Sequence, residues 1–211
     1  MIDRLGTGER VYLSIKTYLL SESALRPGER IDVPDLTRRF GASATPVRAA
    51  LHRLVGERLL TALQGEGFLV PRLTEPDLSD LYQWNVALLV NAARSAGEEP
   101  AIPAEAPAGD GPIAGLEDLF ARLAARSGNV EVEWAVAGAS DRLHRPRCAE
   151  LDLIPEFHDE SLELRGLAAT GSAGALRQAL VAYHRRRLRL VPAIVRSLHG
   201  LTDRDPRRPA E

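Results

Sequence analysis

Thr45, Arg48 and His52 follow one another at intervals of three and four residues, and on an α-helix that spacing puts all three on one face. Val47, Leu51 and Leu54 recur at i, i+4 and i+7 and claim a different, apolar face of the same helix. A helix held by its apolar side while an arginine and short donors face outward can read base edges in the DNA major groove. There an arginine bonds guanine through two donors at once. Ser43 stands where the N-cap of this helix belongs and is itself a candidate DNA contact. Further cations and donors that can grip phosphate lie nearby in sequence: Arg38, Arg39 and Arg53, with Gln64, Gly65 and Gly67 in a glycine-rich tip. Plainer roles stand beside these. Arg38 and Arg39 suit a solvated helix surface equally well, Arg53 can pair with Glu57 four residues on, and His52 suits a solvent-facing place better than a base contact.

The elements that must position this face are legible around it. Helical patterning runs from Thr7 to about Ser23 with Val11, Ile15, Tyr18 and Leu19 on one side. Arg26-Pro27-Gly28-Glu29-Arg30 is a turn leading into Ile31. Asp32 then caps a short helix with Pro34 in its first turn and Leu36 and Phe40 as its buried pair, and Gly41 ends it. After the helix of Arg48, Leu59 to Leu63 and Phe68 to Val70 read as a hairpin around the tip Gln64-Gly65-Glu66-Gly67. Three helices and a hairpin in residues 1–72 are the layout of a winged helix-turn-helix.

The remainder reads as an all-helical bundle over residues 73–200, so the fold class is mainly α. Thr74 and Asp77 start a helix that runs to about Ala96 through Leu81, Trp84, Leu88 and Ala92. Residues 97–112 form a proline- and alanine-rich mobile loop. Helical patterns follow at 114–127, 129–143, 149–170 and 173–199, with Gly128 and Gly171 at breaks, and 201–211 reads as a disordered tail.

Composition fits this picture. The 211 residues are 45% hydrophobic and 27% charged, an ordinary core-forming mixture. Residues 1–72 carry 11 basic and 8 acidic side chains, residues 73–163 carry 6 and 18, and residues 164–211 carry 10 and 3. A mildly basic head beside an acidic middle fits a nucleic-acid module joined to something else. A single cysteine, Cys148, excludes an internal disulfide and any multi-cysteine zinc site. The absence of a long apolar run or a signal-peptide pattern gives the expectation of a cytoplasmic protein with no membrane partner.

Outside the head, little points to chemistry. His144, His158, His184 and His199 are scattered without a His-Glu-x-x-His pattern. His184 lies on the apolar stripe of Leu176, Leu180 and Val191, where a hydrogen-bonded core histidine is the expected role. Arg145 and Arg147 would favour a Cys148 thiolate, although an incidental thiol is the preferred reading. Arg185, Arg186, Arg187 and Arg189 are expected on the outer face of the last helix, neutralising acids beside them. No nucleophile elbow or phosphate-cradling loop is present, so the chain is not expected to be an enzyme.

The segments Leu25-Arg26-Pro27-Gly28-Glu29-Arg30-Ile31, Leu36-Thr37-Arg38-Arg39-Phe40-Gly41, Ser43-Ala44-Thr45-Pro46-Val47-Arg48-Ala49-Ala50-Leu51-His52-Arg53-Leu54, Glu57-Arg58-Leu59-Leu60 and Gly65-Glu66-Gly67-Phe68-Leu69-Val70 resemble the GntR family of bacterial transcriptional regulators. The helical part resembles its FadR-like branch more weakly, with an atypical, shortened effector domain. The resemblance implies a homodimer that binds double-stranded DNA at a palindromic operator, as a repressor, under the control of a small-molecule effector. Family members usually carry arginine where this chain has Ala44 and Glu66. The branch often holds a divalent metal through an aspartate and three histidines. The matching positions fall near Leu116, Phe120, Ser161 and Tyr183, so no metal and no other cofactor is expected. Ser161, Tyr183 and His184 are the candidates for effector contact. The missing arginines leave open a different reading, a dimerising interaction or ligand-sensing module whose winged helix no longer recognises an operator.

Overall fold

The computed structural model describes residues 6–21, 25–65, 67–95, 102, 111–170 and 172–200. The chain divides into two compact units, Met1–Leu73 and Thr74–Glu211. It is a mainly helical protein with an N-terminal winged helix-turn-helix and a helical C-terminal unit.

The first unit contains α1 (Thr7–Leu20), α2 (Val33–Phe40), α3 (Ala44–Gly56), β1 (Thr61–Leu63) and β2 (Gly67–Leu69). Helix α1 stops at Leu20, short of the expected Ser23. Ser21 takes an extended conformation, and its N–H and hydroxyl close onto the carbonyls of Thr17 and Tyr18. Asp32 caps α2 by accepting from the Asp35 N–H at 3.2 Å, with Pro34 in the first turn where its missing donor costs nothing. Gly41 ends α2 at φ 59°, ψ 36°, and the Ala42 N–H then reaches back to the Thr37 carbonyl at 3.2 Å. That left-handed residue reverses the chain within the three-residue connection to α3.

Ser43 is the N-cap of α3 by position, although its side chain makes no capping bond. The core of this unit gathers Val11, Ile15 and Leu19 of α1, Leu36 of α2, Val47, Leu51 and Leu54 of α3, and Leu60, Phe68 and Val70. Strands β1 and β2 pair antiparallel with Ala62 opposite Phe68. The segment after α1 adds a third edge that the turn-like sequence there conceals. Gly28 N–H bonds Val70 O at 2.8 Å, Val70 N–H bonds Glu29 O at 2.9 Å, and Ile31 N–H bonds Phe68 O at 2.9 Å.

The second unit contains α4 (Glu75–Ser95), α5 (Pro112–Ala125), α6 (Val130–Leu153), α7 (Phe157–Ala169) and α8 (Ala173–Leu198). Thr74 and Asp77 form the expected reciprocal cap, the Thr74 N–H and hydroxyl donating to Asp77 Oδ2 at 2.9 and 2.6 Å. Two expectations fail here. Trp84 is 52% exposed, because the buried side of α4 runs through Leu78, Leu81, Tyr82, Asn85, Leu88, Leu89 and Ala92. Helix α6 also continues through the 143–149 gap. Pro146 removes one helix hydrogen bond, a cost of about 3 kcal/mol, but Leu143, Pro146, Arg147, Ala149 and Glu150 are all buried around it and hold the helix together. The break comes at Ile154 instead. The expected tail 201–211 and nearly all of the loop 97–112 lie outside the described residues.

A Cβ built on Gly41 meets nothing within 4 Å, so substitution there tests backbone conformation alone. Gly41→Ala is expected to destabilise the winged unit by about 1–2 kcal/mol, and Gly41→Asn by less, in urea titrations followed by circular dichroism.

Candidate nucleic-acid interface and buried polar core

Burial sorts α3 into two sides. Val47, Leu51 and Leu54 have 0% exposure and Ala50 has 4%, whereas Ala44, Thr45, Arg48, Ala49, His52 and Arg53 are exposed. Thr45, Arg48 and His52 therefore share an outward surface. Arg48 makes no ion pair or side-chain hydrogen bond with any described residue, so its donors remain available. The His52 ring packs edge-on against Phe68 of β2, centroids 4.9 Å apart, and ties α3 to the hairpin. Gln64 and Gly65 at the tip are exposed, Gly65 and Gly67 adopt φ of 72° and 101°, and Glu66 lies outside the described residues. In α2, Arg38 pairs with Asp35 at 3.3 Å, and Arg39 lies over the Tyr18 ring at 4.5 Å. Both remain exposed enough to reach phosphate.

Arg53, a candidate DNA contact, takes the alternative pairing with Glu57. Its guanidinium bonds Glu9 at 2.8 Å and Glu57 at 3.3 Å and lies 3.5 Å over the Tyr12 ring. Glu57 in turn accepts from the Tyr12 hydroxyl at 2.7 Å and from Lys16 at 3.1 Å. The cluster fastens the C-terminal end of α3 to α1, so Arg53 sets the helix's attitude. Burial and the neighbouring Glu57 carboxylate raise the Tyr12 hydroxyl pKa, which keeps it protonated as the donor this arrangement needs.

In the helical unit, Ser161, Tyr183 and His184 are all buried, at 3%, 5% and 1% exposure. The structure brings Tyr183 and His184 together with Phe120: its ring centroid lies 6.0 Å from Tyr183 and 6.3 Å from His184. No described contact joins Ser161 to that group. His184 is a satisfied core histidine. Its Nδ1 donates to Leu180 O at 2.7 Å, which leaves Nε2 to accept from Asn85 Nδ2 at 3.0 Å.

One arginine departs from its expected place. Arg187, expected on the outer face of α8, has 0% exposure; it bonds Glu150 at 3.0 Å and Glu160 and lies 3.5 Å over the Tyr183 ring. Glu150 also accepts from the Tyr82 hydroxyl. Arg186 does pair with acids as expected, with Glu156 and Glu160. Arg147 is fully buried and donates to Glu117 at 2.8 Å, and Glu117 also holds His144 at 3.1 Å. Leu116, Phe120, Ser161 and Tyr183, at the implied metal-ligand positions, offer neither imidazole nor carboxylate. Among the described residues no group of three or more His, Cys, Asp or Glu is placed to hold a metal ion. These residues do not fit a metal.

Comparison with known proteins bears on both units. A family model described as bacterial regulatory proteins, gntR family, matches residues 7–70. The Nta operon transcriptional regulator of Aminobacter aminovorans is 31% identical over 160 residues, which cover 68% of this chain and 75% of that protein. Shorter matches include the HTH-type transcriptional repressor GlaR of Escherichia coli, 33% identical over 75 residues and aligned over 34% of its length. Among solved structures, the fold is shared with E. coli McbR/YncC (TM-score 0.63, 18% identity, 90% of this chain and 98% of that one). It is shared too with a GntR-type regulator from Rhodococcus sp. RHA1 (TM-score 0.65, 17% identity, 88% and 97%). No helix among the described residues is long and apolar enough to cross a membrane.

The two histidines of the helical core make opposite demands on pH. His144 is raised to about 10, first by its hydrogen bond with Cys148 and then by Glu117, so it is charged at neutral pH. His184 is lowered to about 3, chiefly by burial and further by the nearby Arg147 and Arg187. The contribution of His144 is complete below an unfolded pKa of about 6.5 and is lost as pH rises toward 10. Below about 6.5 the unfolded chain protonates its counterpart of His184 while the folded chain does not, so stability falls as pH drops toward 3. Thermal melts across about pH 4 to 10 are expected to show a maximum near pH 6–7. His184→Gln is expected to flatten the acidic arm and His144→Gln the basic arm; unchanged slopes in these variants would contradict the assignments.

Proposed function

Because this chain belongs to the gntR family of bacterial regulatory proteins and is a transcriptional regulator of that type, we propose that it binds a palindromic operator as a homodimer, represses by occupying it, and releases it under control of a ligand held in the helical unit. The observation that carries this reading is the exposed Arg48, engaged by none of the described residues, on a helix whose opposite side is wholly buried. A side chain so placed can reach a guanine edge only if its helix cannot rotate, and α3 cannot. Arg39 and Arg38 at the end of α2, with Gln64 and Gly65 at the hairpin tip, supply the phosphate grip that fixes register on the duplex. The two-fold symmetry of the dimer dictates the symmetry of the operator. Repression is the role printed for the related GlaR, and the reading extends it to this chain. On this reading the protein acts in the cytoplasm, where a bacterial operator lies.

The helical unit supplies dimerisation and ligand sensing in this reading, in the manner of the FadR-like branch but without the branch's metal. One observation favours the rival module: Ala44, in the first turn of α3, is exposed and has no donor to offer a base.

Gel shifts with duplexes from upstream of the protein's own gene test the proposal. Retardation is expected to weaken steeply with salt as phosphate contacts release counterions. Arg48→Ala is expected to cost about 1–3 kcal/mol and to relax base preference, whereas Arg39→Ala weakens all sequences alike. Competition with unrelated DNA at physiological salt separates the rival. Preference for the operator by a factor of about a thousand supports the regulator, and a ratio near unity for every upstream fragment supports the module. Wild-type binding by Arg48→Ala would show that the reading face lies elsewhere.

A further inference from the structure

On the outer surface of the helical unit, arginines gather where no acid answers them. A groove of about 520 Å³ opens between α4 and α8, and Arg94, Arg177 and Arg185 line it together with Val90, Val181 and Gly174. None of these arginines makes an ion pair or side-chain hydrogen bond with any described residue, and no acidic side chain among the described residues lines the groove. Elsewhere in the same unit Arg122, Arg147, Arg186 and Arg187 each hold a carboxylate. Residues 73–163 carry 18 acidic side chains, yet none of the described ones is set here. Arg185, expected to neutralise an acid beside it, instead shares the groove with two further cations. Gly174 brings the groove to the first turn of α8, which also lacks an acidic side chain, so the positive end of that helix adds to the same charge.

Cations held along one groove repel one another, so the set calls for a counter-charge. Arg177, Val181 and Arg185 follow at i, i+4 and i+8 on one face of α8, which separates the two arginines by about 12 Å along the helix axis. A single carboxylate or phosphate cannot span them, whereas a chain of phosphates can. The surface between the cations is apolar: Val181 is 39% exposed, and Val90 of α4 lines the same groove. We propose that this groove binds a nucleoside polyphosphate, its phosphates on Arg94, Arg177 and Arg185 and its base over Val90 and Val181. Guanidinium groups grip phosphate oxygens through paired donors and also stack on planar rings, and the groove has the size of a small-molecule site. The same face of a second copy is a poor occupant, because a two-fold axis there would set arginine against arginine. The groove lies outside the core of the bundle, so the proposal does not rest on an effector held inside it.

Calorimetry and thermal shift on the full chain at physiological salt test it, with ATP and GTP against adenosine, inorganic triphosphate and a hexaglutamate peptide. At least one nucleotide is expected to bind saturably and raise the melting temperature. Adenosine is expected not to bind, and inorganic triphosphate to bind more weakly than the nucleotide. The double variant Arg177→Gln, Arg185→Gln removes no partner of any described residue. It is expected to melt no lower than wild type without ligand and to bind the nucleotide about a hundredfold more weakly. Polyanions are also drawn to a DNA-binding face, so the double variant Arg39→Ala, Arg48→Ala serves as the control and is expected to keep full nucleotide affinity. No nucleotide binding, undiminished affinity without Arg177 and Arg185, or affinity lost with Arg39 and Arg48 would each overturn the proposal. Triphosphate binding as tight as that of the nucleotide would overturn it by removing any part for the valines. Binding of the peptide in place of both nucleotides would also overturn it and give the groove to an acidic protein segment.

Discussion

The complete burial of Val47, Leu51 and Leu54 is the constraint on which the winged unit depends. Three aliphatic side chains on one side of a 13-residue helix fix its rotation about its own axis, and everything useful on α3 follows from that angle. Truncating a side chain such as Leu51 to alanine would cost about 2–5 kcal/mol, a large share of a small domain's stability. The Glu57 cluster adds a second restraint at the far end of the helix by binding Tyr12, Lys16 and Arg53 together. The His52–Phe68 contact joins α3 to the hairpin. Rotation, attitude and wing position are thus set by three separate contacts, while Thr45 and Arg48 carry none of the structural load.

The helical unit solves a different problem. It buries two arginines and a glutamate completely and balances them with ion pairs that lead toward the surface through Glu117 and Glu160. Such networks add little net stability over apolar packing, since desolvation consumes most of the attraction. They do dictate which helices meet: Arg147 and Glu150 of α6, Glu117 of α5, Glu160 of α7 and Arg187 of α8 fit together in one arrangement.

The winged unit was legible in the sequence because its signals are local. Asp32, Gly41 and the i, i+4, i+7 stripe of α3 each act within a few residues, and each does in the structure what its spacing implies. The third edge at residues 28–31 was hidden, because Arg26-Pro27-Gly28 reads as a turn and its partners Phe68 and Val70 lie some forty residues away. In the helical unit the failures share one cause. An arginine in an acidic protein reads as surface charge, and nothing near Arg187 in the chain announces Glu150, 37 residues distant. Helix α6 passes Pro146 because tertiary burial on both sides outweighs a local penalty, which periodicity cannot register. Trp84 reads as core by its type, yet α4 has enough other apolar residues to fill its buried side and leaves the indole outside.

The central claim is that α3 presents Thr45 and Arg48 to DNA while Arg53 serves the fold. Amide and arginine side-chain NMR shifts, recorded on the labelled full chain with and without its operator duplex, test that division most directly. The account predicts large changes at Thr45, at the Arg48 guanidinium and at the Gln64–Gly65 tip, with the Arg53 guanidinium holding its free-state position beside Glu9 and Tyr12. Large changes at Arg53 with Thr45 and Arg48 unmoved would contradict it.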